Sequence, residues 1–226
     1  MPILLFDIDG TLVRTGGAGK AAMELALREE FQIRELDNSV PYSGRTDRAI
    51  GRDLLRTHGL DATDANQTRL VEGYLNRLPA SLIALGGTVC PGIPEIIEAC
   101  RDSVGVYLGL LTGNVKRGAA TKLGHFGLWQ HFAFGGFGDE FHDRDDVARS
   151  AMRNAEKHLG IPVKGEAIWV IGDTPLDVSC ARAIGAKVIA VATGWHTLGE
   201  LEACGPDVAL ADLGEVAAVL KWFGLV

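Results

Sequence analysis

The amino-acid sequence predicts an α/β protein, a doubly wound parallel sheet with a smaller all-helical second domain. Three observations carry that reading. Five short runs, at residues 3–6, 106–111, 167–171, 188–192 and 208–210, are apolar almost without interruption, as strands buried on both faces of a parallel sheet require. Most of them end in Gly, Asp or Thr and lead into a helical pattern, so strands alternate with helices. Between the first two runs lies a long stretch in which only helical periodicity is found.

Taken in order, the first strand is Ile3-Leu4-Leu5-Phe6, closed by Asp7 and a turn at Gly10. The stretch that follows opens with a helix over Ala18–Phe31, rich in the good helix formers Ala, Leu and Glu. Ile50, Leu54 and Leu55 recur at helical spacing, as do Leu70, Val71, Tyr74, Leu75, Leu78, Leu82 and Ile83. Pro79 lies inside that last stripe and is expected to kink or divide its helix. These features set off 14–90 as a helical insert and leave 1–13 and 91–226 as the α/β core. The second strand spans 106–111, and Phe132-Ala133-Phe134 is a weaker, edge-type run. Strands at 167–171, 188–192 and 208–210 complete the sheet, whose ligands belong at the carboxyl ends of the strands.

Composition narrows the class. In 226 residues, 47% are hydrophobic and 23% charged, an ordinary globular balance. Lys and Arg number 22 against 29 Asp and Glu, a net charge of −7. With no basic block, the chain is not expected to bind nucleic acid through its phosphates. The longest apolar run, 104–111, is far below the ~20 residues of a membrane-spanning helix. No basic segment followed by a long apolar one opens the chain, so a cytoplasmic protein with no membrane role is expected. The four cysteines form no CxxC pair and the six histidines no HxH or HxxxH pattern, so thiol and histidine metal sites are not expected.

Chemistry concentrates at three strand ends. The first ends in Phe6-Asp7-Ile8-Asp9-Gly10-Thr11. Two carboxylates two positions apart on extended chain point the same way, and such a pair is costly unless a cation lies between them or one takes a proton. That is the logic of a divalent cation, a nucleophilic carboxylate and a general acid/base, although an Asp-Gly turn alone would look the same. The second strand ends in Thr112-Gly113-Asn114 ahead of a helix, an anion-binding corner with free backbone N–H groups or, more plainly, a helix cap. The fourth ends in Gly172-Asp173-Thr174-Pro175-Leu176-Asp177, with two more carboxylates. Asp173 approaches the Asp7/Asp9 corner if the first and fourth strands are neighbours.

In order and spacing these motifs resemble the haloacid dehalogenase superfamily: DxDGT at Asp7, a hydrophobic-TGN motif at Thr112 and GDxxxD at Asp173. The resemblance runs the length of the chain, places a type 1 helical cap at 14–90 over a Rossmann-like core, and is strongest to the phosphoglycolate phosphatase and β-phosphoglucomutase branch. It implies that Asp7 attacks phosphorus and that Asp9 acts as general acid and then base. It implies Mg²⁺ held by Asp7, the Asp9 backbone carbonyl and Asp173, with Asp177 orienting the metal site. Thr112, Gly113 and Asn114 would bind phosphate oxygens. The family's motif lysine, about 25 residues before the GD, is missing. Arg144 is the candidate in its place, able to take two phosphate oxygens in a fork, with Arg149 as competitor; either could instead merely offset Asp139, Asp143, Asp145 and Asp146.

Other signals are discounted. Gly16-Gly17-Ala18-Gly19-Lys20-Ala21 fails the phosphate-loop pattern at Arg14 and Ala21 and reads better as a hinge into the first cap helix. Trp195-His196 reads as surface. The expected activity is hydrolysis of a small phosphorylated metabolite; the alternatives are a phosphomutase and a non-catalytic regulator. Asp9 argues against a halide-releasing dehalogenase and against phosphonate cleavage. Arg45, in the loop Tyr42-Ser43-Gly44-Arg45-Thr46-Asp47, is a candidate for substrate recognition through a bidentate guanidinium, against the plain alternative of a helix cap with a solvated arginine.

Overall fold

Strand β1 (Ile3–Phe6) runs through the middle of the sheet, and all four of its residues are buried. The computed structural model describes residues 1–225. After β1, an antiparallel ribbon pairs β2 (Val13–Arg14) with β3 (Thr88–Val89). The remaining strands are β4 (Tyr107–Leu111), β5 (Phe134–Gly136), β6 (Ile168–Gly172), β7 (Lys187–Val191) and β8 (Val208–Leu210). The main sheet is parallel, in the order β5-β4-β1-β6-β7-β8. The chain leaves β1 for β4 and β5 on one side, then crosses to β6, β7 and β8 on the other. That reversal opens a crevice at the carboxyl ends of β1, β4 and β6.

Both faces of the sheet are covered, which explains the uninterrupted apolar runs. Leu4, Phe6, Leu110 and Ile171 pack on one side with α4 (Ile93–Arg101), α5 (Lys116–His125) and α9 (Val216–Phe223). Ile3, Leu5, Val170 and Val188 pack on the other with α6 (Arg144–Leu159), α7 (Pro175–Ala183) and α8 (Leu198–Glu202). The edge strand β5 starts two residues later than its apolar run. Gly135 and Gly136 carry no apolar signal, yet a Cβ at Gly136 would overlap Val147 and Ala151 of α6, so the glycine lets that helix sit against the edge.

Helices α1 (Ala18–Phe31), α2 (Asp47–Thr57) and α3 (Asp64–Leu85) share a separate cluster built on Met23, Leu27, Leu54, Leu70, Tyr74 and Leu82. Thr46 and Thr63 cap α2 and α3 by accepting from Ala49 N and Asn66 N. Pro79 does not divide α3, which is one helix of 22 residues. Proline removes one backbone donor, but Leu78 and Leu82 on either side of it are fully buried, and this packing carries the helix through.

Candidate active site

Four buried charges meet at the end of β1. Asp7 follows the strand, Asp173 follows β6, and Asp177 lies in the first turn of α7; carboxylate oxygens of all three lie within 4.8 Å of one another. Burial raises the Asp7 carboxyl to about 6, with Arg144 opposing and Asp177 and Asp9 adding to the rise. Asp173 is pushed well above the usual range, first by burial and then by the Asp7 and Asp177 charges. Arg144, the first residue of α6, is 5% exposed and faces this cluster. Its Nη2 bonds Asp177 and the Leu111 carbonyl and lies 3.2 Å from Asp7 Oδ1. No N–H is aligned on that oxygen, so the Asp7 contact is ionic, and Arg144 Nε has no partner among the described residues. Burial opposes the guanidinium charge, but Asp7 and Asp177 outweigh it. Arg149, by contrast, pairs with Asp146 on the half-exposed face of α6. Of the two candidate arginines, the structure brings Arg144 to Asp7.

Asp177 closes a capping box at α7, its Oδ2 accepting from Thr174 N at 3.0 Å and Thr174 Oγ1 at 2.8 Å. Its other oxygen is left for Arg144, so it aims that cation. Asp173 accepts from Thr11 Oγ1 at 3.3 Å. Gly10, at φ 86°, and Gly194 both back onto the Asp173 carboxylate, which a Cβ at either position would overlap. Thr193 bonds the Gly10 carbonyl at 2.5 Å, so the 193–194 loop after β7 braces the Asp7 turn.

The Asp9 carboxylate takes a different course from Asp7. Extended backbone ends at Phe6, and beyond it the alternation that would align the two side chains no longer holds. Asp9 Oδ2 accepts from Lys122 Nζ at 2.5 Å and from Asn114 Nδ2 at 2.9 Å, and its Oδ1 lies 3.5 Å from Thr15 Oγ1. Arg144 of α6 thus faces Asp7, and Lys122 of α5 faces Asp9. Lys122 was not singled out by the sequence, although it shares the buried face of α5 with Gly118, Ala119 and Leu123.

The 42–47 loop does come down on the core, through its backbone and the side chains of Ser43, Thr46 and Asp47 rather than through the Arg45 guanidinium. A Cβ at Gly113 would overlap the Arg45 carbonyl, and one at Gly44 would meet Thr174 Oγ1. Asp47 N donates to the Gly113 carbonyl at 2.8 Å, and Val115 N donates to Asp47 Oδ2 at 2.9 Å. Burial lifts Asp47 to about 6, Lys122 pulling the other way. The Arg45 side chain is spent within the insert, on Asp53 at 2.5 Å and the Pro41 carbonyl at 3.0 Å. His196 reaches Ser43 Oγ at 3.2 Å, while its neighbour Trp195 is exposed.

The family model of haloacid dehalogenase-like hydrolases matches residues 1–185. The chain belongs to this family. This hydrolase is 29% identical over 227 residues to a probable phosphatase, IndB, of Dickeya dadantii, covering 95% of this chain and 91% of that one. It is 25% identical over 224 residues to a phosphoglycolate phosphatase of Agrobacterium fabrum, covering 97% and 92%. Among solved structures, CbbY from Rhodobacter sphaeroides in complex with phosphate superposes with a TM-score of 0.77 at 19% identity, covering 96% of each chain. The haloacid dehalogenase-like hydrolase described here is a phosphatase. Its Asp7, Asp173 and Asp177 offer only oxygen donors, and burial with mutual repulsion raises Asp7 and Asp173. Both properties suit a hard divalent cation, which would relieve that repulsion.

Proposed function

We propose that this hydrolase is a Mg²⁺-dependent phosphomonoesterase acting on a small phosphorylated metabolite through an aspartyl-phosphate on Asp7, with residues 14–90 as the cap. The observation that carries the reading is the Asp7 carboxylate, buried at the switch point of the sheet between Arg144 and Asp173. The phosphatase names of the relatives support it.

In this reading an Asp7 oxygen attacks phosphorus as the bond to the leaving oxygen breaks, and Asp9 gives that oxygen a proton. Asp9 then takes a proton from water, whose oxygen attacks the phosphoryl group and frees Asp7 and phosphate. Arg144, with Nε uncommitted, neutralises charge on the phosphoryl oxygens. Thr112 and the backbone N–H groups of Gly113 and Asn114 bind the same oxygens. The Asn114 amide is bonded to Asp9 and Thr112, so its side chain orients rather than binds. Asp7, the backbone carbonyl of Asp9 and Asp173 would hold Mg²⁺, which supplies charge neutralisation between nucleophile and phosphate. Asp177 aims Arg144. The Arg45 pairing with Asp53 speaks against a role for that guanidinium in recognition, and the loop meets the core through its backbone and the Asp47 carboxylate.

The test is phosphate release from a panel of phosphorylated metabolites with Mg²⁺, for wild type and Asp7→Asn. Asp7→Asn is expected to lose turnover by a factor on the order of 10⁴ or more. Near wild-type activity in that variant, its amide verified by mass spectrometry, would overturn the mechanism. Isomer interconversion without phosphate release would point to a mutase.

A further inference from the structure

Lys122 stands where helix packing calls for an apolar residue. It is 4% exposed, on the α5 face that also buries Ala119 and Leu123, and burying an ammonium there is costly unless its donors are matched. They are matched inside the site. Nζ donates to Asp9 Oδ2 at 2.5 Å and to Asn114 Oδ1 at 2.7 Å. Asn114 Nδ2 in turn donates to the same Asp9 oxygen at 2.9 Å and to Thr112 Oγ1 at 2.9 Å. Lys122, Asn114 and Asp9 therefore form a closed triangle of hydrogen bonds in which each member fixes the other two. A closed triangle with two of its three members buried, Lys122 and Asn114, holds its members more tightly than separate exposed bonds would.

The insert completes the enclosure. A Cβ at Gly19 in α1 would lie 3.0 Å from Lys122 Nζ, so the absence of a side chain there makes room for the ammonium under the first cap helix. Asp47 and Tyr74 are buried polar side chains of the insert in this region; Asp47 is bonded to Val115 N, and the Tyr74 hydroxyl has no partner among the described residues, while the buried Thr15 hydroxyl reaches only the other Asp9 oxygen, at 3.5 Å. None takes up the lysine. The Asp9 side chain, unlike that of Asp7, is 41% exposed and follows the turn toward Gly10, so without an anchor its carboxylate could rotate. Arg144 is already engaged with Asp7 and Asp177 and does not anchor Asp9.

We infer that Lys122 is a positioning residue for Asp9, aiming its carboxylate at the oxygen that leaves phosphorus. This rests on the reading of Asp9 as proton donor and acceptor, and the test separates the two. The readout is kcat/KM, which reports phosphoryl transfer to Asp7, for an alkyl phosphate whose alkoxide needs a proton and for 4-nitrophenyl phosphate whose phenolate does not. Lys122→Met should lower kcat/KM on the alkyl ester by about 10–100-fold and on the nitrophenyl ester by about 3-fold or less. In an Asp9→Asn background, Lys122→Met should add nothing, because its effect runs through the group already removed. Equal losses on the two esters, or losses that multiply with Asp9→Asn, would overturn the inference while leaving the role of Asp9 intact. If Asp9→Asn itself leaves the alkyl ester untouched, the proton-transfer reading fails first. Lys122→Gln, which retains a donor, serves the same comparison should the methionine variant not fold, and it should recover part of the alkyl-ester rate.

Discussion

Replacing Arg144 by methionine should both unfold the protein more easily and silence it. The guanidinium is 5% exposed and contacts Asp7, Asp177 and the Leu111 carbonyl. Methionine preserves much of the stem volume but leaves two buried carboxylates beside a third, Asp173. Removing one partner of a buried ion pair typically costs about 3–5 kcal/mol, a large part of the ~5–15 kcal/mol that holds a domain together. Part of that cost is relieved when the stranded carboxylates take up protons. Asp7 is raised to about 6 even with Arg144 present, and without that cation it must lie higher. Urea unfolding without added metal should therefore show the full loss at pH 8 and a smaller one at pH 5. Arg144→Lys, whose shorter reach and single ammonium must replace the contacts of Nη2 with Asp177, the Leu111 carbonyl and Asp7, should lose roughly half as much stability and at least ~10-fold in kcat with Mg²⁺. An Arg144→Met protein within about 1 kcal/mol of wild type at pH 8 would refute the claim that this arginine offsets the carboxylate cluster.

Three further outcomes follow from the same contacts. Because the folded-state value of Asp7 is raised from 3.8 to about 6, its contribution is fully favourable below the unfolded value and is lost as pH rises through about 6. The loss is on the order of 3 kcal/mol and is spread between 3.8 and about 6, so Asp7→Asn should melt higher than wild type in EDTA at pH 8 and by roughly half as much at pH 5, and Mg²⁺ should stabilise wild type more at pH 8. An Asp7→Asn protein that melts at or below wild type at pH 8 would contradict this. Arg45→Ala, which breaks a partly exposed pair with Asp53, should cost at most ~1 kcal/mol and lower kcat/KM alike on the best metabolite and on 4-nitrophenyl phosphate; a tenfold KM rise confined to the metabolite would restore Arg45 as a recognition residue. Gly113→Ala places a Cβ against the Arg45 carbonyl and Thr46 Cα, so kcat/KM should fall by ~10–100-fold through displacement of the 42–47 loop, and unchanged kinetics would show that this contact is dispensable.

The strands were legible because burial on both faces erases alternation and leaves runs such as Ile3-Leu4-Leu5-Phe6. The strand-end motifs were legible because carboxylates at the edge of such runs have few reasons to be there. β1 does lie beside β6, which brings Asp173 to Asp7 as the motif order requires. What stayed hidden depends on contacts between distant segments. Lys122 reads as a surface charge by residue type, and only its helical phase with Ala119 and Leu123 places it inside. Thr193 and Gly194 carry no motif, and their role appears only when β7 is set beside β6. That Asp9 meets Lys122 and Asn114 while Asp7 meets Arg144 is likewise beyond the reach of strand alternation, because the strand ends at Phe6.

The 42–47 loop shows the same limit in sharper form. Its position between two insert helices and its glycine were enough to mark it as the segment that meets the core, and Gly44 and Arg45 do meet Thr174 and Gly113. Residue chemistry then favoured the arginine as the part that acts. Yet a guanidinium with an aspartate eight positions away on the next helix, Asp53, has a local partner, and local pairing needs no cap closure. The backbone has no such alternative. Asp47 N and Val115 N, at the starts of α2 and α5, are amide donors that a helix leaves unpaired within itself, and each finds its acceptor across the seam, on Gly113 and Asp47. The seam between insert and core is thus built from helix-end amides, the Asp47 carboxylate and glycine-permitted contact. These are indifferent to what the substrate carries beyond its phosphate, so discrimination between metabolites has to come from other side chains at the seam.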